Sequence, residues 1–240
     1  MELLRGLRVW RRLLLMATLT GVALLRLRRA RRRGKRHPHE AVRHGNAWAR
    51  AVARALGIEL TVHGSLPDGP HLLLGNHRSY IDIVAILSKL PCAFLAKQEI
   101  AGWPLFGEAA RLTGTVFVKR DDPESRKLAR EGALAHLQRG VPFAAFPEGT
   151  TFRGPGILPF FPGLFRLAEQ YDFPVVPVAI EYEDPDDAWV GDDAFLRHFL
   201  QAFRKPRVRV RIAFGPPLRA RDVDDLQAEV RAWILARVRS

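Results

Sequence analysis

The chain has 240 residues, room for one α/β domain and a short appendage, and its 48% hydrophobic and 26% charged content excludes disorder as the default state. A single cysteine, Cys92, excludes an internal disulfide framework and a cysteine-rich zinc site. The net charge of +13 is unevenly placed: residues 1–36 hold twelve Arg and Lys against one acid, Glu2, so +11 lies there and +2 on residues 37–240.

The basic block surrounds an apolar run at 13–25 (LLLMATLTGVALL). As a helix this run reaches about 20 Å, against roughly 30 Å for a bilayer core. It reads as a segment that lies in or dips into one leaflet. Trp10 suits the interface, and Arg11, Arg12, Arg26, Arg28 and Arg29 can reach anionic headgroups. Arginines on both sides of the run favour the cytoplasmic face of an inner or plasma membrane. An arginine cluster follows where a signal peptide would carry a small-residue cleavage site; an Arg-rich mitochondrial leader remains a second reading. Nucleic-acid binding would use Arg31, Arg32, Arg33, Lys35 and Arg36 but leaves the apolar run without a purpose, so no nucleic-acid partner is expected. His37, His39 and His44 sit among cations with only Glu40 beside them, a poor setting for a metal.

Residues 41–57 predict a helix ending at Gly57, with Trp48, Val52 and Leu56 at four-residue spacing. Residues 1–57 therefore form a membrane-associating helical region, and 58–240 the domain that carries the chemistry. Strands are expected at 58–63, 71–74, 92–96, 116–118, 141–146 and 175–180. Helices are expected at 81–90 and 103–113. Asp122-Pro123 starts a further helix, with Leu128, Leu134 and Leu137 as its apolar face and Gly140 as its stop. Val208, Val210, Ile212 and Phe214 alternate with arginines, the pattern of a half-exposed or edge strand. Asp222 caps a last helix carrying Leu226, Val230, Trp233 and Ile234. This alternation argues for an α/β fold with a mainly parallel sheet flanked by helices. In such sheets ligands bind beyond the carboxyl ends of the strands. Three strands here end in chemically capable residues: Asn76-His77, Lys119-Arg120 and Glu148-Gly149-Thr150-Thr151.

His77 and Asp82 are five residues apart, about 140° around a continuous helix. They meet only if the helix starts after His77. Ser79 is a natural N-cap, with Asp82 three residues later as in a capping box. An Asp on one ring nitrogen would fix the tautomer and leave the other nitrogen as a base. The alternative is that Asp82 only caps the helix and His77 is an ordinary loop residue; the strand-end position favours catalysis. No Gly-x-Ser-x-Gly elbow is present, Cys92 lies in an apolar strand, and Ser79 is better used as a cap. A base without an enzyme nucleophile suggests that the substrate supplies the hydroxyl, by direct transfer in a ternary complex. Arg120 can hold a phosphate by two parallel hydrogen bonds, or else pair with Asp121 or Asp122. The turn at 146–151 (FPEGTT) can cradle an anion, with Glu148 orienting a hydroxyl or an arginine; an ordinary turn with a solvated Glu148 is the alternative. A metal held by His77, Asp82 and Glu148 is a further rival.

Together these segments resemble the glycerolipid acyltransferase family, typified by 1-acyl-glycerol-3-phosphate acyltransferases. Four blocks of that family occur in order: NHRSYID at 76–82, GTVFVKR at 114–120, FPEGT at 146–150 and VVPVAI at 175–180. AKQEI at 96–100 is also similar. The resemblance covers roughly 58–218 and makes 58–240 an acyltransferase domain. It implies that His77 is the base on the acceptor hydroxyl and Asp82 orients it. It implies that Arg120 binds the acceptor's phosphate, helped by Glu148, Gly149 and Thr150, while Asn76 and Pro177 shape the acyl side. It implies an acyl-CoA or acyl-carrier-protein co-substrate, no other cofactor, no metal, and membrane lipids as partners. Many members continue the third block with an arginine; here Thr151 stands there, and Arg153 is the nearest substitute. The leading acceptor is therefore lysophosphatidic acid, with a lyso-ornithine lipid or another lysophospholipid open. Outside this class, a metal-dependent lipid hydrolase and a silent lipid-binding protein are the rivals.

Overall fold

A computed structural model describes residues 2–33, 37–66, 68–191, 194–219 and 222–239; Lys35 and Arg36 of the basic block lie outside them. Helices α1 (Glu2–Arg32) and α2 (Pro38–Leu56) precede the sheet. Then follow β1 (Ile58–His63), β2 (Leu72–Gly75), α3 (Ile81–Lys89), β3 (Ala93–Lys97), α4 (Phe106–Leu112), β4 (Val116–Val118), α5 (Pro123–Gln138) and β5 (Phe143–Ala145). The chain ends with α6 (Gly163–Gln170), β6 (Val175–Tyr182), α7 (Phe195–Ala202), β7 (Val208–Phe214) and α8 (Val223–Leu235).

The seven strands lie in the order β1-β7-β6-β2-β5-β3-β4. Every pairing is parallel except β6 with β7. β2, β5 and β6 are fully buried, as expected of central parallel strands covered on both faces. One face packs on α2, α3 and α7, the other on α5, α6 and α8. β7 is half-exposed as its alternation indicates, but it is no edge: β1 flanks it, and Arg209 pairs with Glu59 and Glu183 on the outer side.

Local chemistry explains the ends of the elements. Asp122 accepts a hydrogen bond from the Glu124 amide, and Asp222 from those of Asp224 and Asp225, each closing a helix start. The apolar face of α5 is Ala129, Ala133 and Leu137; Leu128, expected on that face, is exposed. The helix expected at 103–113 begins only at Phe106, after a 3₁₀ turn at Gln98–Gly102.

Helix α1 is longer than its apolar run, because the flanking arginines are good helix formers. It rests on α2 and α4, and its inward face buries Val9, Met16, Thr20, Leu24 and Leu27. Arg12, expected at headgroups, is instead buried, and donates to the carbonyls of Phe203, Lys205 and Pro206 at 2.9, 2.6 and 2.6 Å. Burial lowers its pKa to about 10, so it stays charged at neutral pH. Gly57, at φ 73°, leaves room for this guanidinium; a Cβ there would come within 2.2 Å of it. Arg28, also expected at headgroups, makes a two-pronged ion pair with Glu108 of α4. On the outer side Leu7, Trp10, Leu14, Val22 and Leu25 are exposed. Among the described residues no helix is long and apolar enough to cross a membrane.

Candidate active site

β2 and α3 build the core of the site. Gly75 ends β2 under β6, where a Cβ would lie 2.9 Å from the Val178 carbonyl. Asn76 then replaces main-chain pairing: its side-chain amide donates to the Ile180 carbonyl and accepts from the Ile180 amide, both at 2.8 Å. Asn76 is fully buried, so it fixes where the chain leaves the sheet. The next residue, His77, lies before the helix begins. Its Nδ1 meets Asp82 Oδ2 at 2.8 Å, and its ring stacks on Phe146 with centroids 4.0 Å apart.

Asp82 has no exposed surface. Its Oδ2 also accepts from the amides of Arg78 at 2.6 Å and Ser79 at 2.9 Å. Asp82 reaches back to the Ser79 amide as the spacing suggested, and the same oxygen holds His77; the N-cap itself is Tyr80, not Ser79, whose hydroxyl accepts from the Ile81 amide at 3.4 Å. The Tyr182 hydroxyl donates to Oδ1 at 2.6 Å. Burial and the neighbouring Asp82 push the Tyr182 pKa far up, so it remains a donor. These contacts hold Asp82 as an acceptor and His77 as the tautomer protonated on Nδ1, leaving Nε2 free to take a proton. Among the described residues no other side chain or backbone group hydrogen-bonds the His77 ring.

Two residues of this corner were not picked out from sequence. Tyr182 sits one hundred residues from Asp82; its only signal was a polar tip at the end of an apolar strand. Arg78 is fully buried and donates to the carbonyls of Phe152 at 2.9 Å and Gly156 at 2.8 Å. It ties the loop after β5 to the start of α3. Its burial had no signal in the sequence, where it sits among the polar residues Asn76, His77 and Ser79.

The turn after β5 behaves differently from the expectation. Gly149 takes φ 73°, and a Cβ there would meet the Phe161 ring at 2.7 Å, so only glycine fits. Its amide is used by the Phe146 carbonyl at 3.1 Å and is not free for an oxyanion. Glu148 turns inward, is buried, and among the described residues neither carboxylate oxygen has a hydrogen-bond partner. Burial pushes its pKa up to about 8, opposed by the charge of Arg78 and by the nearby amides of His77 and Leu158. Of its two expected roles, the geometry fits facing an arginine and not touching a substrate.

A cavity of about 860 Å³ opens over His77. Thr150, Thr151, Gly149 and Arg120 line it. Arg120 makes no ion pair with Asp121 or Asp122 among the described residues; the charge that acts on it is Glu99. Arg153, the expected substitute for a missing arginine, pairs with Asp186 at 3.0 Å and is not on the cavity wall. Pro177 is also off that wall. It lies on β6 opposite Gly215, one residue past the end of β7, where its missing amide hydrogen disturbs the ladder least. Among the described residues no group of three or more His, Cys, Asp or Glu side chains converges as a metal cage would require.

A mainly parallel sheet places an Asp-held histidine beside a largely apolar cavity, at the carboxyl ends of the strands where ligands of such sheets bind. Residues 59–181 match the family model described as Acyltransferase, and the chain belongs to that family. It is 34% identical over 182 residues to the lyso-ornithine lipid O-acyltransferase of Pseudomonas aeruginosa, covering 74% of this chain and 70% of that one. It is 38% identical over 137 residues to the 1-acyl-sn-glycerol-3-phosphate acyltransferase of Neisseria meningitidis, covering 56% of this chain and 54% of that one. The chain thus spans about half the length of the latter. The crystal structure of the 1-acyl-sn-glycerophosphate acyltransferase PlsC from Thermotoga maritima shares the fold, with a TM-score of 0.72 at 22% identity over 98% of this chain and 95% of that one.

Proposed function

We propose that this acyltransferase moves a fatty-acyl group from a thioester, acyl-CoA or acyl-carrier protein, to the free hydroxyl of a lyso-lipid. The observation that carries the reading is the His77–Asp82 pair opening onto a cavity whose lining, among the described residues, holds no serine or cysteine nucleophile. Cys92 is buried and its burial pushes the thiol pKa far up, and Ser79 is fully buried at the helix start. The acceptor hydroxyl therefore attacks the thioester carbonyl directly, and His77 Nε2 takes its proton. The new C–O bond forms as the C–S bond breaks, and the imidazolium returns the proton to the departing thiolate. Arg120 holds the acceptor's anionic headgroup. The amides of Thr150 and Thr151, which have no partner among the described residues, are the donors offered to the oxyanion.

Lysophosphatidic acid, giving phosphatidic acid, is the first acceptor, supported by Arg120 and by the Neisseria relative. A lyso-ornithine lipid is the second, supported by Thr151 in place of arginine and by the Pseudomonas relative. The exposed apolar stripe of α1, flanked by Arg11, Arg26 and Arg29, supports seating in one leaflet of the membrane, at its cytoplasmic face. The test is transfer of a labelled acyl group from acyl-CoA and from acyl-carrier protein to a panel of lyso-lipids, with a chelator present. Transfer to one lyso-lipid names the acceptor. No transfer to any of them, or loss of activity with the chelator, contradicts the reading.

A further inference from the structure

The cavity has two chemically different ends. One is walled by apolar side chains of the first three helices, among them Met16, Leu27, Trp48 and Leu87. The other is rimmed by Arg126 and Arg130 of α5 and Arg166 of α6, beyond Arg120. All three lie outside the four sequence blocks that carry the family resemblance. Arg126 donates to the backbone carbonyl of Arg120 at 2.8 Å, and the Arg130 guanidinium stem lies against Gly163 at the start of α6.

Arg126 and Arg130 are one helical turn apart, where like charges repel. Arg166 adds a third cation from a separate helix. Among the described residues no carboxylate pairs with any of the three, although surface arginines elsewhere, such as Arg153, Arg209 and Arg219, are paired. Bulk basicity does not explain the cluster, since residues 37–240 carry only +2. Arg120 is the cation assigned above to the acceptor's headgroup, and these three stand beside it on the same cavity. The surplus cations call for a second anion that reaches the same cavity.

The donor supplies one. With its thioester carbonyl at His77 and its acyl chain in the apolar end, the donor's carrier must leave through the basic end. Coenzyme A and acyl-carrier protein share a pantetheine arm that ends in a phosphate. We infer that Arg126, Arg130 and Arg166 form an anion site for the phosphate of the donor's phosphopantetheine arm, separate from the acceptor site at Arg120. This rests on the thioester reading above.

The test is equilibrium binding of free coenzyme A and, separately, of holo-acyl-carrier protein to the full chain, with no turnover required. Wild type is compared with Arg130→Ala/Arg166→Ala, Arg130→Lys/Arg166→Lys and Arg126→Ala. Removing a charged contact of this kind costs on the order of tenfold in affinity per arginine. The expected result is a loss of about tenfold or more for at least one carrier in each alanine variant, partial rescue by lysine, and an unchanged melting temperature. Partition onto anionic vesicles and the acceptor KM should not move in the Arg130/Arg166 variants. A response to coenzyme A alone or to carrier protein alone identifies the source of the phosphate. The inference is overturned if wild type binds neither carrier, or if all variants bind both as wild type does. It is also overturned if vesicle partition falls in place of carrier binding, which would make the patch a bilayer contact. Carrier binding without acyl transfer would instead sink the reaction proposed above and leave this site standing.

Discussion

At the end of β2, Asp82 receives four hydrogen bonds on two oxygens and shows no surface, while α1 meets the body through one packed face and polar anchors that include Arg12 and Arg28. The His77–Asp82 corner directs its polar groups inward. The helix directs an apolar stripe outward, from Leu7 to Leu25. The corner has a fixed geometry, which the proposed proton transfer needs, because donors and acceptors set in advance require no rearrangement as charge develops. Under the proposed seating in one leaflet, the helix meets a second phase, where shape matters less than exposed apolar area and nearby cations. Both ends of this contrast can be broken separately.

The largest effect falls on the corner. Asp82→Asn keeps the size of the side chain but removes the acceptor that fixes the His77 tautomer, so kcat should fall by about 10²–10⁴-fold; a loss under tenfold would mean that Asp82 only caps α3. Next comes the anchor of α1. Arg12→Ala leaves the carbonyls of Phe203, Lys205 and Pro206 without their donor, and should cost on the order of 2–4 kcal/mol in chemical unfolding. Acyl transfer should then decline only as far as the fold does. Leu14→Asp, on the outward stripe, should leave unfolding unchanged and lower partition onto anionic vesicles by roughly tenfold, about the cost of exposing one large apolar side chain. Equal partition of the variant would remove the stripe from membrane contact.

A further effect concerns pH. The Glu148 carboxyl titrates near 8 in the folded chain against an ordinary value near 4.5. Between those values the folded state keeps a proton that the unfolded state releases, so stability from this group declines as pH rises from about 4.5 to about 8 and is level above. A series of melting temperatures should show that decline in wild type and a flatter profile in Glu148→Gln.

Much of the site was legible in sequence because its chemistry is local. His77, Ser79 and Asp82 lie within six residues, and the capping geometry that joins them is a property of spacing. The order of strands and helices followed from apolar runs and caps, as at Asp122 and Asp222. What stayed hidden depends on contacts distant in the chain. Tyr182 reaches Asp82 only because β6 lies beside β2, and Arg12 is buried only because α1 folds back on the loop after α7. Charge alone placed Arg12 at headgroups and Arg153 in the site, yet carbonyls and Asp186 claimed them. Pro177 was assigned to the acyl side by resemblance, and the strand register puts it off the cavity wall.

The central claim is that His77 is the base on the acceptor hydroxyl. It is tested most directly by kcat for His77→Ala against wild type, both substrates saturating and both proteins melting alike. The account predicts a fall of about 10²–10⁴-fold. A rate within a few-fold of wild type would contradict it.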